Sequence, residues 1–487
     1  MKKEKLDAKK LLENFTTIFL FFMPLFSTTF FYNKIVTLIQ IVWVFLLLIL
    51  TLFVYKKSRK NIKWLVLYYF VCLGYLVVSY YHQLSFKSLL PDNYDFNIIS
   101  ESLTILKLVT PITFIYTLYY LRIPFKKYML ILKVWVFLFA GSIVITNIFK
   151  ISLGSYSDSF ITKNIFEWNK YNYYKFTASK GYFMYANQIS ALSILFLLIF
   201  IYDYIYTSKK SIVYIILIGL SMLMIGTRVS TLGGLLTFIF ALIFYFLIEI
   251  LRKGTIRRRI FVLPILIICW ILILPVSPYS NRNVELHIND NNENQVIDEE
   301  SDNIDNSASI NNQTSFSKID YVYNNYNKDY LPKIFFEEYY PIKYDTDFWY
   351  EFVKNNSIDK INYRYVEKSI IRRVIHINNS KLDKYIGISN TRIQKIVNIE
   401  SDFILHYYAF GIIGSVILLI LYAILVIYSF AIFIKKQNYY TFVMLTCVVL
   451  FLFSAILTGN IINSINTILP FIFIVSGLIY KDNKEIS

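Results

Sequence analysis

Cysteine and histidine are scarce in this chain. Its 487 residues include 3 cysteines and 4 histidines, and Cys72, Cys269 and Cys447 each fall inside an apolar run. Neither a disulfide framework nor paired thiolate ligands follow from such a set. The histidines, at positions 82, 287, 376 and 406, are scattered, and no HExxH, CxxC or Walker loop is present. The sequence therefore indicates neither ATP hydrolysis nor a structural metal. Acidic residues are also short: 32 Asp and Glu stand against 49 Lys and Arg, a formal net charge of +17. In a soluble chain that excess would point to nucleic acid. Here it is first a topology signal, because 56% hydrophobic and 18% aromatic residues exceed what a water-soluble domain covers with polar surface. The chain reads as a membrane protein. The N-terminal MKKEKLDAKKLLENF runs into a hydrophobic segment without an A-x-A-like cleavage site, so an uncleaved first span is expected.

A hydrocarbon core of about 30 Å takes roughly 20 apolar residues per helix. On that ruler the expected fold is an all-α polytopic membrane protein of about twelve transmembrane helices with one large extracytoplasmic loop. The spans fall near 14–32, 35–55, 62–82, 101–120, 128–149, 184–206, 211–226, 229–251, 259–278, 405–434, 440–458 and 462–480. Helices 1–9 occupy 1–278, the loop 279–404, and the last three helices with a tail 405–487. With the N-terminus inside, every cytoplasmic piece is basic: MKKEKLDAKK, YKKSRKNIK, LRIPFKKY, TSKK, RKGTIRRR, KKQN and KDNKEIS. The alternate loops YNK, 82–100, GTR and TGNI are nearly free of Lys and Arg, which places both termini in the cytoplasm. Anionic lipid headgroups are a sufficient partner for the charge excess, and no nucleic acid is called for.

Two outer segments are long. The first, 150–183, holds Lys163, Lys170, Lys175 and Lys180 among aromatics and breaks the low-charge pattern. The second, 279–404, opens with an acidic, Asn-rich stretch over 281–315 whose composition cannot bury enough apolar surface to order itself. From Phe316 the aromatics return together with Arg364, Arg372, Arg373, Arg392 and Lys395. That half reads as short helices over the outer mouth of the bundle.

Three places carry candidate chemistry. The run 212–251 has about 40 residues, which as one helix would be near 60 Å long, about twice the core thickness. It must be a hairpin, with Gly226, Thr227 and Arg228 at an outer turn. There Arg228 either contacts lipid phosphate or forms an anion site at a helix N-terminus. Lys180, in SKGYFMYANQISAL, is an ordinary loop lysine or a second cation of that site, and Asn187 and Gln188 are polar glue between helices or part of it. At the end of the large loop Glu400, Asp402 and His406 precede a span in which Gly411 and Gly414 allow close packing. Asp402 and His406, at i and i+4, share a helix face. A carboxylate or histidine at a membrane edge suits a general base, while Glu400 and Asp402 equally suit a helix N-terminus. Lys107, about two turns into the fourth span, is a further phosphate-contact candidate.

The GTR-type turn between two spans, Gly181, Phe183 and Asn187 as a G-x-F-x-x-x-N segment opening an earlier span, and a large outer loop ending in a short polar motif before a G-x-x-G resemble the O-antigen ligase and O-antigen polymerase superfamily. The resemblance covers about 180 to 480. It implies transfer of a glycan from a polyprenyl diphosphate carrier to an acceptor sugar hydroxyl at the outer face of a bacterial cytoplasmic membrane, with neither cofactor nor metal. By position it gives Arg228 the diphosphate role and sets Lys180 where relatives have a basic residue. The ESDF segment at 400–403 stands where ligases usually show an HNDF-like motif. Glu400 replaces that histidine, which weakens a ligase assignment and leaves the base open between Glu400 and His406. Arg372, Arg373 and Arg392 are loop arginines that would complete the anion site. The expectation is thus a polymerase of lipid-linked repeat units for a capsule or O-antigen-like polysaccharide, its partners a polyprenyl-diphosphate-linked oligosaccharide, membrane lipids, a flippase and a chain-length regulator. A ligase, or a lipid-linked oligosaccharide flippase, is the alternative.

Overall fold

A computed structural model of the chain describes residues 2–90, 96–156, 159–160, 177–252, 254–282, 315–326, 331–355, 363–397 and 399–484. Lys163, Lys170, Lys175 and nearly all of the acidic 281–315 stretch lie outside the described residues. Those described are helical throughout, with two isolated β-bridges and no strand. Nine helices among them are long and apolar enough to cross a membrane, against the twelve expected. The remaining expected spans fall on Lys2–Phe26, charged over its first half, on the 14-residue Ile212–Ile225, and on the shorter apolar helix Ile465–Tyr480.

The chain divides into two compact units. The first comprises Met1–Leu65, Val109–Glu299 and Leu421–Ser487. It contains α1 (Lys2–Phe26), α2 (Lys34–Val54), the first turns of α3 (Lys56–Leu84), and the later turns of α4 (Ile98–Leu121). It continues with α5 (Phe125–Val136), which passes through one π turn into α6 (Ser142–Ile148), then α7 (Ala186–Tyr206), α8 (Ile212–Ile225), α9 (Arg228–Leu251) and α10 (Val262–Ile273). The core is α7, apolar on every face and buried along nearly its whole length, as an all-round hydrophobic helix must be. Around it lie α8 and α9 and two helices of the chain's end. Two of the unit's buried aromatic side chains are matched to backbone acceptors: Trp135 Nε1 donates to Leu20 O at 2.7 Å and the Tyr128 hydroxyl to Ile474 O at 3.0 Å.

The second unit, Val66–Leu108 and Glu300–Ile420, joins the rest of α3 and α4 to the helices of the expected loop: α11 (Ser315–Asn325), α12 (Thr346–Asn355), α13 (Tyr363–Asn378), α14 (Asp383–Ile386) and α15 (Asn390–Ile396). The aromatics that reappear after 316 build a small core around Trp349, Phe336 and Tyr340, with Trp349 Nε1 donating to Tyr340 O at 2.8 Å. Membrane helices hold this half by buried polar bonds. The Glu101 carboxylate accepts the backbone N–H of Asn390 and Thr391, at 3.2 and 3.0 Å, and so caps α15. His82 Nε2 meets the Asp383 carboxylate at 2.8 Å, and Asn378 donates to the same group.

The last helices are α16 (Asp402–Lys436), α17 (Tyr439–Leu457) and α18 (Ile465–Lys484). The expected tenth span, 405–434, is not one continuous helix. Gly411 breaks α16 with φ 61° and ψ −171°, a conformation open to glycine and strained for other residues. The break has a physical cause: a Cβ at 411 would lie 2.3 Å from the Tyr385 carbonyl carbon and 2.5 Å from Ile386 N. The Tyr75 hydroxyl clamps the crossing by donating to Ile386 O and Phe410 O at 2.8 and 3.0 Å.

Candidate functional site

In the first unit the hairpin expected from span length is present. Gly226 ends α8 in the left-handed region at φ 64°, Thr227 caps α9 by accepting the Ser230 N–H at 3.1 Å, and Arg228 is the first residue of α9. The turn is braced. Ser190 and Thr227 hydroxyls lie 3.0 Å apart, the Ser155 hydroxyl donates to Ile225 O at 2.7 Å, and Ser179 N donates to Met224 O at 2.8 Å. The Met224 and Ile225 carbonyls at the end of α8, which have no partner within their own helix, are thereby satisfied by Ser179 and Ser155. Those same bonds bring the Lys180 segment to the arginine turn, the two pieces of chain that the sequence singles out.

Their side chains differ in availability. Arg228 is exposed and makes no hydrogen bond or ion pair among the described residues. Lys180 is 4% exposed, and its ammonium donates to Met184 O at 3.1 Å. Asn187 is half-buried in the first turn of α7. Arg282 belongs to the same unit and was not among the expected residues; its guanidinium bonds the Tyr156 hydroxyl at 2.5 Å and stacks on that ring. Its position just beyond the last span of the first half is the signal that could have found it.

In the second unit the expected residues separate into three groups. The first is exposed: Glu400, with 59% of its side chain accessible, accepts Nε and Nη2 of Arg364 at 3.2 and 3.0 Å. Beside it lies Glu367 on α13, a residue that sequence reasoning missed because its neighbours are supplied by the fold. Glu367 is 8% exposed, and its Oε2 has no hydrogen-bond partner among the described residues. Burial, and then the negative charge of Glu400, push its carboxyl up to about 8. The second group is buried. Asp402 and His406 are 1% and 0% exposed, with the His406 ring against Phe410 at 5.3 Å. They share a helical piece, as their spacing predicts, but that piece ends at Gly411.

The arginines form the third group, and the structure does not bring them together. Arg392 is 4% exposed, bonded to Gln83 and to Ile388 O, with its guanidinium 3.6 Å from the Phe86 ring centre. Arg373 forks onto Asp345 at 2.7 and 2.9 Å, and the Tyr340 hydroxyl joins the pair; these partners raise the arginine further above its ordinary value. Both are committed to internal contacts. Arg372 instead lines an open cavity of about 630 Å³ with Lys381, Lys384, Tyr385, Tyr407 and Tyr408. Lys107 is half-buried on α4. Among the described residues no group of three or more His, Cys, Asp or Glu is placed to hold a metal ion.

With the helices, the arginine turn and the carboxylate cluster described, a family model for O-antigen ligase like membrane proteins matches residues 9–485. The chain belongs to that family. The resemblance stated from the 180–480 motifs thus extends over nearly the whole sequence. No curated protein and no solved structure matches. As an O-antigen ligase-like protein it is a multi-pass membrane protein of the lipid-linked glycan ligase and polymerase type.

Proposed function

We propose that this O-antigen ligase-like protein is a polymerase that joins polyprenyl-diphosphate-linked oligosaccharide repeat units into a cell-surface polysaccharide at the outer face of the membrane. The observation that carries the reading is Arg228: a guanidinium at a braced helix N-terminus, exposed and bonded to nothing else among the described residues. Such a group is available to an anion.

In the proposed reaction the acceptor sugar hydroxyl attacks the anomeric carbon of the growing chain. Its oxygen forms the new glycosidic bond and its proton passes to a carboxylate. The bond between the anomeric carbon and the carrier's phosphate oxygen breaks, and polyprenyl diphosphate departs with the bonding electrons. Arg228 is assigned the charge that develops on the departing diphosphate. The carrier already activates the anomeric carbon, so the chemistry calls for no nucleotide and no metal. Glu400 is assigned the proton, because it is exposed whereas His406 and Asp402 are buried. Buried groups suit positioning better than contact with an incoming hydroxyl.

The ligase alternative is disfavoured by Glu400 standing in ESDF where an HNDF-like histidine is usual. A flippase has little use for the extended helical half 315–397. The test is genetic. In a knockout strain, Arg228→Ala is expected to accumulate in the membrane yet make no polymer, leaving single repeat units on the surface; loss of one such contact typically lowers turnover by about 10²–10³. Full-length polymer from the variant would refute the role of Arg228, and repeat units trapped inside the knockout would favour a flippase.

A further inference from the structure

The cavity over α13 and α14 is basic where membrane topology gives no reason for it to be. Arg372, Lys381 and Lys384 lie in the segment expected on the outer side, where lysine and arginine contribute nothing to positive-inside orientation. Nor are they neutralised by one another's neighbours. Lys381 and Lys384 make no ion pair among the described residues, Lys384 resting only near the Tyr385 ring at 5.9 Å. The neighbouring Tyr408 hydroxyl raises Arg372 further above its ordinary value. Among the described residues the one carboxylate at the cavity, Asp383, is buried and already holds His82 and two bonds from Asn378. Three cations therefore surround a space of about 630 Å³, within the size range of small-ligand sites at roughly 300–1,000 Å³.

The rest of the wall narrows the ligand. Tyr385 and Tyr407 are 46% and 44% exposed, rings that offer apolar faces together with hydroxyls. A sugar ring stacks on such a face while its hydroxyls bond the polar rim. A lipid would need an acyl groove, yet among the described residues Ile375 is the only aliphatic side chain on the wall. We propose that this cavity binds a glycan bearing negative charge, its ring on Tyr385 or Tyr407 and its carboxylate or phosphate on Arg372, Lys381 and Lys384. The inference rests on the reading above that the chain handles glycans, and it makes the protein selective for acidic repeat units.

The experiment measures binding directly, so its outcome is separate from polymerisation. Full-length protein in nanodiscs of neutral phosphatidylcholine is titrated with a tetragalacturonate, with a phosphate-bearing oligosaccharide, and with a neutral tetrasaccharide. Wild type is expected to bind at least one acidic oligosaccharide about tenfold more tightly than the neutral one, and Lys381→Ala/Lys384→Ala to lose that preference. The carboxylate and phosphate arms tell which anion is held. Both lysines are exposed, and an unchanged melting temperature confirms that the variant folds. Equal binding of acidic and neutral oligosaccharides, no binding of either acidic one, or undiminished binding by the double variant overturns the proposal. If the lysines instead govern only capture of phosphatidylglycerol vesicles, the site belongs to lipid and the proposal fails. Binding is read without any polymerisation, so a failed polymerase assignment and a failed cavity assignment give different results.

Discussion

At the scale of the residue, Glu367 sets a pH signature. Its carboxyl titrates near 8 in the folded protein against an ordinary value of 4.5. Because the folded value is the higher one, the folded state binds the proton more tightly than the unfolded chain does between these limits. The associated stability is therefore full below about pH 4.5 and is lost as pH rises through about 8. Glu367→Gln keeps the neutral shape and removes the titration. Its melting temperature, followed in detergent from about pH 5 to pH 9, should decline less than that of the wild type; identical slopes would show that Glu367 does not titrate there. Glu400→Gln should lower the rate of polymer formation by about 10²–10⁴, as expected for loss of a general base, with donor binding unchanged. Wild-type turnover in that variant would remove Glu400 from the chemistry. Arg228 and Glu400 stand out in the sequence as candidates because each sits beside a local signal, a turn or a span boundary. Glu367 was not, since only tertiary folding places α13 against Glu400. Arg392 and Arg373 were legible as arginines but not as internally paired ones, for Gln83 and Asp345 lie far from them along the chain.

Elements show the same division between local and distant causes. The α8–α9 hairpin follows from length and from residues next to it: Gly226 takes the left-handed cap and Thr227 supplies the capping oxygen. Thr227→Ala should destabilise by about 1 kcal/mol while Thr227→Ser retains most of the cap, a difference readable as melting temperature. The break in α16 has a distant cause. Nothing within 405–434 announces it except Gly411 itself, because the 385–386 backbone that occupies the inside of the bend arrives from another helix. Gly411→Ala must strain the backbone at φ 61° and displace Tyr385. A loss of about 1–3 kcal/mol or more is expected, seen as reduced accumulation and a lower melting temperature; an unperturbed variant would mean that α16 tolerates a straight course.

For the whole molecule, hydropathy carries most of the information about the helices. Among the described residues nine of the twelve expected spans fall on helices long and apolar enough to cross a membrane, and the other three fall on helices that are charged or shorter; short helices follow 315, where aromatics and arginines return. What the sequence could not convey was that the chain parts into two units, the second of which takes turns of α3 and α4 from the membrane helices. That pairing depends on bonds such as Glu101 to the start of α15, between residues almost 300 positions apart. Orientation is checked by labelling. A cysteine replacing exposed Ser88 should react with a membrane-impermeant maleimide in intact cells, and one replacing exposed Thr207 only after permeabilisation. The reverse pattern would invert the topology and move Arg228 to the cytoplasm.

The most direct measurement is reconstitution. Purified protein in liposomes, supplied with a polyprenyl-diphosphate-linked repeat unit, should form products longer than one repeat and release one polyprenyl diphosphate for each new linkage, and Arg228→Ala should do neither. Repeat units that cross the bilayer without diphosphate release, or full polymer from the variant, would contradict the account.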